Sequence, residues 1–335
     1  MHDYSVQYKL YCQYANPSRL WRVQVVTPGV NGGLAALIAM MDASNRAKES
    51  EIIETIQKGD FDAVTSLLQS KVSANWACHE GFSLLIHASS YGKEKIVKLL
   101  VKNKADPAYT APDQCSALIC AAGENHVDIC RFLLSCPGVT PDGPENSLQP
   151  LYMAVSQDKL DAARLLLDAK ADPELTFIDN FALGYAAHSG YTKMLKLLLQ
   201  YGADPNKASR KTGSTPLFFA ISKNNIVATI MLLHAKADVD HRNAQRQRPI
   251  HVAMRLETVK ILQLLFKRTS YINKSYKLKK NDYTTPLLFA IDTQSWYLLE
   301  TVLQRKADVN KPNSKGMTPL LMAAKFNDVK IVRDA

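Results

Sequence analysis

The sequence is poor in the residues that disulfide-bonded, loop-rich and membrane-spanning proteins require. Its 335 residues include 14 glycines and 6 cysteines, and no Cys-x-x-Cys pair occurs. Scarce glycine favours a helical protein, and scattered cysteines are typical of a reducing compartment rather than of a secreted disulfide framework. No run of about 18 apolar residues is present, which argues against a membrane-spanning helix. Apolar residues still make up 47% of the chain, enough for an extensive core.

The common catalytic motifs are also absent. The chain has no Gly-x-x-x-x-Gly-Lys-Ser/Thr phosphate loop, no Gly-x-Gly-x-x-Gly, no His-Glu-x-x-His and no Gly-x-Ser-x-Gly. The nearest set of metal ligands is Cys120, His126, Cys130 and Cys136. Two of these, Cys120 and Cys130, fall on faces that the repeat pattern described below buries, where cysteine acts as a small apolar residue. We therefore predict a non-enzymatic protein without a metal or a cofactor.

Acidic residues are missing from the first part of the chain. None occurs between Tyr4 and Met41, and Arg19 and Arg22 lie in the same stretch. An acid-poor start that contains arginine is a feature of mitochondrial leaders, so a leader is one reading of this segment. We expect instead that residues 1–47 are an extension that packs on the first repeat. The expected location is the cytoplasm, with the nucleus as an alternative.

A pair of short amphipathic helices recurs along most of the chain. In the clearest copy, Thr215 is the predicted N-cap of a helix that starts at Pro216, and Ile226 to His234 form the second helix. With Leu217 as the anchor, equivalent residues follow one another at intervals of 32 to 37 residues. These anchors are Ile52, Leu85, Leu118, Leu151, Leu183, Leu217, Ile250, Leu287 and Leu320. Three positions after the anchors, eight of the nine residues are alanine, as expected where two helices approach closely.

The motifs in these units resemble the ankyrin repeat. Thr215-Pro216-Leu217, Thr285-Pro286-Leu287 and Thr318-Pro319-Leu320 match its Thr-Pro-Leu signature, and Gly202-Ala203-Asp204 matches its helix end. The resemblance implies an all-α solenoid of about nine helix-turn-helix units joined by β-turn fingers. Four lysines replace the glycine of Gly-Ala-Asp, so we expect a left-handed backbone there at a cost of about 1 kcal/mol each. They are Lys104, Lys170, Lys236 and Lys306.

The repeat register also predicts the domain boundaries. The array should cover residues 48–335, with a capping repeat at 48–80, regular repeats at 81–317 and an incomplete repeat at 318–335. The last unit stops before its second helix, so we expect either a fragment of a longer protein, the preferred reading, or a partner that closes the end. Additional residues in Lys274–Asn281 lengthen one finger, which we expect to project.

The resemblance implies a scaffold or adaptor that binds proteins through its fingers and the inner face of its first helices. The exposed inner positions should follow the buried alanines, and we predict partner contacts there, with Tyr91 and Arg255 as anchors. The candidates are Tyr91, Glu124, Gln157, His188, Lys223 and Arg255. We expect the protein to be a monomer. One alternative is that the array targets a larger enzyme or channel.

Positive charge is concentrated in one part of the chain. Between Tyr201 and Thr285, ten lysines and six arginines face five acids, so 16 − 5 = +11, whereas the whole chain is +10. We call the cations on these fingers the basic ridge: Lys207, Arg210, Lys211, Arg242, Arg246, Arg248, Lys274, Lys277, Lys279 and Lys280. We predict that the ridge, with Tyr276 beside it, binds an acidic protein segment. Nucleic acid and an anionic membrane surface are the alternatives.

Overall fold

The computed structural model describes residues 48–144, 148–177, 180–279 and 282–325. Short helices dominate, joined by tight turns. In chain order they are α1 (residues 48–58), α2 (Phe61–Gln69), α3 (Leu84–Ser90), α4 (Glu94–Lys102), α5 (Ala117–Gly123), α6 (Val127–Leu134), α7 (Pro150–Ser156), α8 (Leu160–Asp168), α9 (Ala182–Ser189), α10 (Thr192–Gln200), α11 (Pro216–Ser222), α12 (Ile226–His234), α13 (Pro249–Arg255), α14 (Val259–Phe266), α15 (Pro286–Asp292), α16 (Trp296–Gln304) and α17 (Pro319–Lys325).

Two fingers contain a short antiparallel hairpin. Strand β1 (Thr176–Phe177) pairs with β2 (Asn180–Phe181), and β3 (Tyr276–Lys279) pairs with β4 (Asp282–Thr284). Two other fingers are each closed by a single bridge, Ala77 with Ser83 and Thr110 with Ser116. The predicted all-α ankyrin-type fold with β-turn fingers is therefore confirmed for the described residues.

The chain divides into two compact units, Met1–Ala171 and Asp172–Ala335, which we call unit 1 and unit 2. In unit 1 the first helices α3, α5 and α7 pack side by side, and the second helices α2, α4, α6 and α8 pack in the same way behind them. Unit 2 repeats the plan, with α9, α11 and α13 in one row and α10, α12, α14 and α16 in the other. Each helix thus buries its apolar face against its pair and its neighbours, because it is too short to be stable alone.

The first helices begin where the sequence predicts. Pro249 and Pro286 are the first residues of α13 and α15, where proline loses no intrahelical hydrogen bond. The Thr285 hydroxyl caps α15 by accepting a bond from the Leu288 N–H at 3.2 Å. Thr215 lies at the same place before α11, but its buried hydroxyl makes no cap bond, so only the position of that predicted cap is right.

The eight alanines that lie three positions after an anchor are buried, as the repeat pattern predicts. All eight are fully buried: Ala88, Ala121, Ala154, Ala186, Ala220, Ala253, Ala290 and Ala323. Most anchors are buried beside them, but Leu320 is 53% exposed. Among the described residues α17 packs on α15 and has no helix on its other side, so its anchor lacks a second partner.

The four lysines that replace glycine do adopt the left-handed backbone. Their φ angles are 66° at Lys104, 71° at Lys170, 64° at Lys236 and 58° at Lys306. In each case the following alanine donates its N–H back to the last turn of the helix, as Ala105 does to the Leu100 carbonyl at 2.9 Å. This arrangement is the Schellman motif, and it turns the chain out of the second helix and into the finger.

Candidate functional site

The fingers of unit 2 lie side by side and are hydrogen bonded to one another. The Ala244 N–H donates to the Thr212 carbonyl at 2.9 Å, and the His241 Nε2 lies 2.9 Å from the Gly213 carbonyl. A Cβ at Gly213 would lie 2.8 Å from the Ala244 nitrogen, so this approach of two backbones requires glycine. The finger that contains Arg210 and Lys211 is therefore held against the finger that contains Arg242 and Arg246.

A recurring contact, which we call the finger clamp, joins each of these fingers to the next. An oxygen of one side chain near the start of a finger accepts a backbone N–H from the following finger. Asn206 accepts from Asp238 at 2.7 Å, and its amide nitrogen donates to the Lys236 carbonyl at 3.3 Å. The clamp residues of unit 2 are Glu174, Asn206, Asp240 and Asn273. Four successive clamps keep the fingers in register.

The clamp at Asp240 is the one with most bonds. Its carboxylate accepts from the Thr269 hydroxyl at 2.5 Å, and from the Ser270 N–H and hydroxyl at 2.9 and 2.7 Å. Two further acids of these fingers accept hydrogen bonds from backbone N–H groups. Asp204 accepts from the Asn206 N–H and Asp238 from the Asp240 N–H, each at 2.8 Å. These carboxylates stabilise turns and form no ion pair with the basic ridge among the described residues.

The cations of the basic ridge differ in how they are placed. Arg210, Lys211, Arg242, Arg246 and Lys274 have exposed side chains. Neither Arg242 nor Arg246 takes part in any ion pair formed by the described residues. Because nearby acids are used in turns, the field of these arginines is not balanced locally.

Lys207 of the basic ridge is paired within the protein. Its ammonium lies 3.2 Å from the Glu174 carboxylate and also donates to the Glu174 carbonyl. An ammonium group with two partners in the same molecule has to give up those contacts to bind a ligand.

Arg248 and Tyr276 are buried, contrary to the prediction that both lie on the exposed basic ridge. Arg248 is only 7% exposed, and its guanidinium lies 3.9 Å from the centre of the Tyr271 ring. Tyr276 is 1% exposed, its hydroxyl donates to the Tyr271 carbonyl at 2.8 Å, and its ring meets His251 edge to face. Tyr276 therefore does not present its ring to a partner.

The lengthened finger also differs from the expectation that it projects. Its first strand, β3, packs against α13, with Tyr276 opposite Thr284 in the hairpin register. The predicted contacts Lys277 and Lys279 belong to β3, and their side chains lie outside the described residues, as does Lys280 entirely. The lengthened finger therefore packs partly against α13 and does not project over its whole length.

His251, a partly buried histidine beside the arginines, is held neutral. Burial lowers the pKa of His251 to about 4, and the charges of Arg248 and Arg242 act in the same direction. The neutral ring accepts a hydrogen bond at Nδ1 from the Arg248 N–H at 2.9 Å. His251 therefore adds no charge to the ridge at neutral pH and instead fixes the start of α13.

The predicted inner-face residues lie at the C-terminal ends of the first helices. Glu124, Lys223 and Arg255 are exposed, whereas Tyr91, Gln157 and His188 are partly buried. His188 and Lys223 are brought together: burial lowers the pKa of His188, and the charge of Lys223 lowers it further.

Tyr91 stands in a small aromatic cluster of unit 1. Its ring stacks on His87 with 6.5 Å between ring centres and an interplanar angle of 16°, and Phe82 meets His87 edge to face at 6.0 Å. Burial lowers the pKa of His87 to about 4, and its Nε2 has no hydrogen-bond partner among the described residues. The ring contacts hold the Tyr91 side chain against His87.

The cysteines are arranged differently from the predicted ligand set. Cys130 is fully buried, as expected, but Cys120 is only partly buried, and its sulfur lies 2.8 Å from that of Cys115. Sequence reasoning missed this contact, because a separation of five residues is not a helical neighbour spacing. Among the described residues, no three histidine, cysteine or acidic side chains come close enough to share a metal ion. None of the helices described has both the length and the hydropathy to cross a bilayer.

Comparison with known proteins identifies the repeats. The family model described as ankyrin repeats (3 copies) matches residues 52–144, 110–177, 138–209 and 183–276, and a second, ankyrin repeats (many copies), matches residues 295–334. The chain belongs to the ankyrin repeat family. Ankyrin repeats generally mediate protein–protein interaction, and proteins of the family are typically non-enzymatic binding modules.

Similar proteins come from several kinds of organism. The chain is 26% identical over 217 residues to alpha-latrocrustotoxin-Lt1a of Latrodectus tredecimguttatus, an alignment that covers 58% of this chain and 15% of the toxin. It is 30% identical over 140 residues to the fowlpox virus ankyrin repeat protein FPV223, which covers 42% of this chain and 95% of that protein. It is 33% identical over 131 residues to the transient receptor potential channel pyrexia of Drosophila melanogaster, covering 39% of this chain and 13% of the channel. The toxin and the channel are thus much longer than the segments they share with it.

Proposed function

We propose that this protein is a non-enzymatic interaction module that binds an acidic protein segment on the basic ridge of unit 2. One observation carries the proposal. Arg242 and Arg246 are exposed and form no ion pair among the described residues, while the acids of the same fingers are bound to backbone N–H groups. A surface with unbalanced cations attracts a partner of opposite charge and speeds its encounter.

A protein partner fits the ridge better than a single-stranded nucleic acid. Binding of single strands relies on exposed aromatic rings that stack on bases. At the ridge Tyr276 is buried, and Tyr271 is partly exposed with Arg248 over its ring, so of the three tyrosines nearby only Tyr283, 42% exposed, is largely open to solvent. The general role of ankyrin repeats in protein binding supports the same choice.

The remaining contacts would come from the inner face of the first helices. Lys223 and Arg255 are exposed cations in unit 2 and extend the same charge, so we include them in the proposed surface. Separately, in unit 1, we propose Tyr91 as an aromatic anchor of the kind that carries interface energy. We also propose partner contacts at Glu124, Gln157 and His188. Further proposals are that the protein is a monomer, that it is cytoplasmic, that its domains have the boundaries given above and that it acts as a scaffold.

The test is the affinity of the full chain for a fluorescent glutamate- and aspartate-rich peptide, measured by anisotropy. The double variant Arg242→Glu/Arg246→Glu should bind at least about tenfold more weakly, a loss of about 1.4 kcal/mol. The matched control is Lys193→Glu/Lys196→Glu, which makes the same change in net charge on exposed residues of α10. This control should bind within about twofold of the wild type at physiological salt.

Competing ligands separate the alternatives. Single-stranded RNA and vesicles of phosphatidylserine should compete weakly if the ridge selects an acidic protein segment. Equal losses in both double variants, or tight binding of RNA or vesicles with none of the peptide, would contradict the proposal. The second outcome would favour the anionic-surface alternative. That a toxin and a channel carry similar segments keeps the targeting role in a larger protein as a further alternative.

A further inference from the structure

Two cysteine sulfurs in unit 1 lie in direct contact where a finger meets a first helix. Cys115 precedes Ser116, the N-cap of α5, and Cys120 lies on the same helix. The Ser116 hydroxyl accepts from the Ile119 N–H at 3.3 Å, which fixes the turn between the two cysteines. The sulfurs are 2.8 Å apart, and both side chains are partly exposed.

The other described cysteines lack this arrangement. Cys78 and Cys130 are buried, and burial raises the pKa of both thiols, that of Cys130 to about 12. Cys136 is partly exposed, but its thiol donates to the Phe132 carbonyl at 3.4 Å and no other sulfur is its partner in the described part of the chain. Cys136 therefore serves as a matched control for accessibility.

We propose that Cys115 and Cys120 form a thiol–disulfide exchange site that reacts with a low-molecular-weight disulfide such as oxidised glutathione. A disulfide bond is about 2.05 Å long, so the sulfurs need to approach by roughly 0.75 Å, from 2.8 Å. Because both residues belong to one short turn and helix, the bond would join the finger to α5 within the same chain.

The two sulfurs have different roles. The hydrogen bond to Cys120 and burial raise the pKa of the Cys115 thiol well above its usual value, and nearby Asp113 adds to this. The Asp113 carboxylate beside Cys115 disfavours a thiolate there, so Cys120 is the sulfur that attacks first. The Cys115 N–H also donates to the Asp113 carboxylate at 3.0 Å, which keeps that charge beside Cys115 rather than Cys120.

The reaction balances in two steps. The Cys120 thiolate attacks one sulfur of oxidised glutathione, forms a mixed disulfide and releases one glutathione, which takes up a proton. The Cys115 sulfur then displaces the second glutathione from Cys120, and its proton passes to that leaving thiolate. The protein loses two protons and two electrons, and one glutathione disulfide becomes two glutathione thiols.

The proposed disulfide would lie next to a residue of the predicted inner face. The Cys120 carbonyl accepts the N–H of Glu124 at 3.1 Å, and Glu124 is a predicted inner-face contact. A covalent link between the finger and α5 would restrict the turn from Cys115 to Cys120 directly beside that face.

The test treats the folded full chain with oxidised glutathione, quenches with N-ethylmaleimide and maps the peptides by mass spectrometry. The expected product has lost two hydrogen atoms, contains a Cys115–Cys120 linked peptide, and shows at least about tenfold less alkylation at both residues than at Cys136. Cys136→Ser should give the same linked peptide as the wild type.

Single variants test the assigned order. Cys115→Ser should stop at a stable glutathione adduct on Cys120, and Cys120→Ser should leave Cys115 open to alkylation. A stable glutathione adduct on the wild type, full alkylation of both cysteines after treatment, or a disulfide between two chains would overturn the proposal. Since the decisive product forms on the wild type, failure of a variant to fold does not affect the result.

Discussion

The fingers of the two units are fastened differently. In unit 2, four successive side chains accept a backbone N–H from the next finger, from Glu174 to Asn273. In unit 1, Asn75 does the same for Asp106 at 2.7 Å, but Ala108 stands at the following position, and its methyl group cannot accept a hydrogen bond. The same helical scaffold thus carries a continuous row of registered fingers in one unit and an interrupted row in the other.

The difference shows where the repeat can vary without loss of the fold. Buried alanines and left-handed caps recur in both units, so the helices pack alike. Chemistry is added at the fingers: cations lie on the registered fingers of unit 2, whereas unit 1 has an aromatic cluster and a thiol pair. A charged surface needs several side chains at fixed spacing, and successive clamps provide that spacing.

The largest expected effect concerns the aromatic cluster of unit 1. Burial lowers the pKa of His87 from 6.5 to about 4, so the unfolded chain takes up a proton below about pH 6.5 and the folded chain only below about pH 4. Stability present above pH 6.5 should fall by about 3 kcal/mol as the pH drops to 4. Urea unfolding of the wild type and His87→Phe across this range measures it, and equal pH dependence of the two would contradict it.

A smaller effect is expected at the clamp with most bonds in unit 2. Asp240→Ala removes three hydrogen bonds to a charged acceptor and should cost about 2 kcal/mol of unfolding free energy. The control Asp292→Ala changes the same residue type at the end of α15 and should cost less than about 0.5 kcal/mol. If Asp292→Ala lowers the unfolding free energy as much as Asp240→Ala, the hydrogen bonds of the clamp do not account for the loss.

The neutral clamps should contribute about equally in the two units. Asn75→Ala and Asn206→Ala each remove one accepted and one donated bond at an exposed site, and each should cost about 1 kcal/mol in urea unfolding. Hydrogen exchange at the Asp106 and Asp238 amides should rise in the corresponding variant. A loss in one unit only would show that the clamp is not a shared device.

The smallest effect is a gain. Lys104→Gly in unit 1 and Lys236→Gly in unit 2 relieve a left-handed lysine, and each should stabilise its unit by about 0.5 to 1 kcal/mol. Gly202, with φ at 87° and no atom near its missing Cβ, already fills the same position in unit 2. Destabilisation by either change would mean that the lysine side chain makes a contact worth more than the strain.

Much of the scaffold follows from the sequence, because it depends on local and periodic features. Proline fits the first position of a helix, as at Pro249 and Pro286, and alanine fits where two helices approach closely. The residue after each second helix has to adopt a left-handed backbone. The clamp residues could also have been found, since an asparagine or acid occurs at the same place in successive units. Their function as acceptors required the positions of the neighbouring fingers.

The misplaced site residues lie where periodicity gives no information. Tyr276 falls in the inserted hairpin, whose register turns it onto α13, and Arg248 is covered because Tyr271 of the next finger lies over it. The contact of Cys115 with Cys120 depends on the angle at which the finger enters α5. Each of these outcomes is set by tertiary packing between segments, which a sequence pattern does not encode.

Hydrogen–deuterium exchange of the full chain, with and without a saturating glutamate- and aspartate-rich peptide, tests the central claim most directly. We predict that the peptide slows exchange in residues 204–215 and 238–248, the fingers that carry Arg210, Lys211, Arg242 and Arg246, and leaves residues 105–116 of unit 1 unchanged. Protection of the unit 1 finger in place of these two, or bound peptide with no protection of either, would contradict the account.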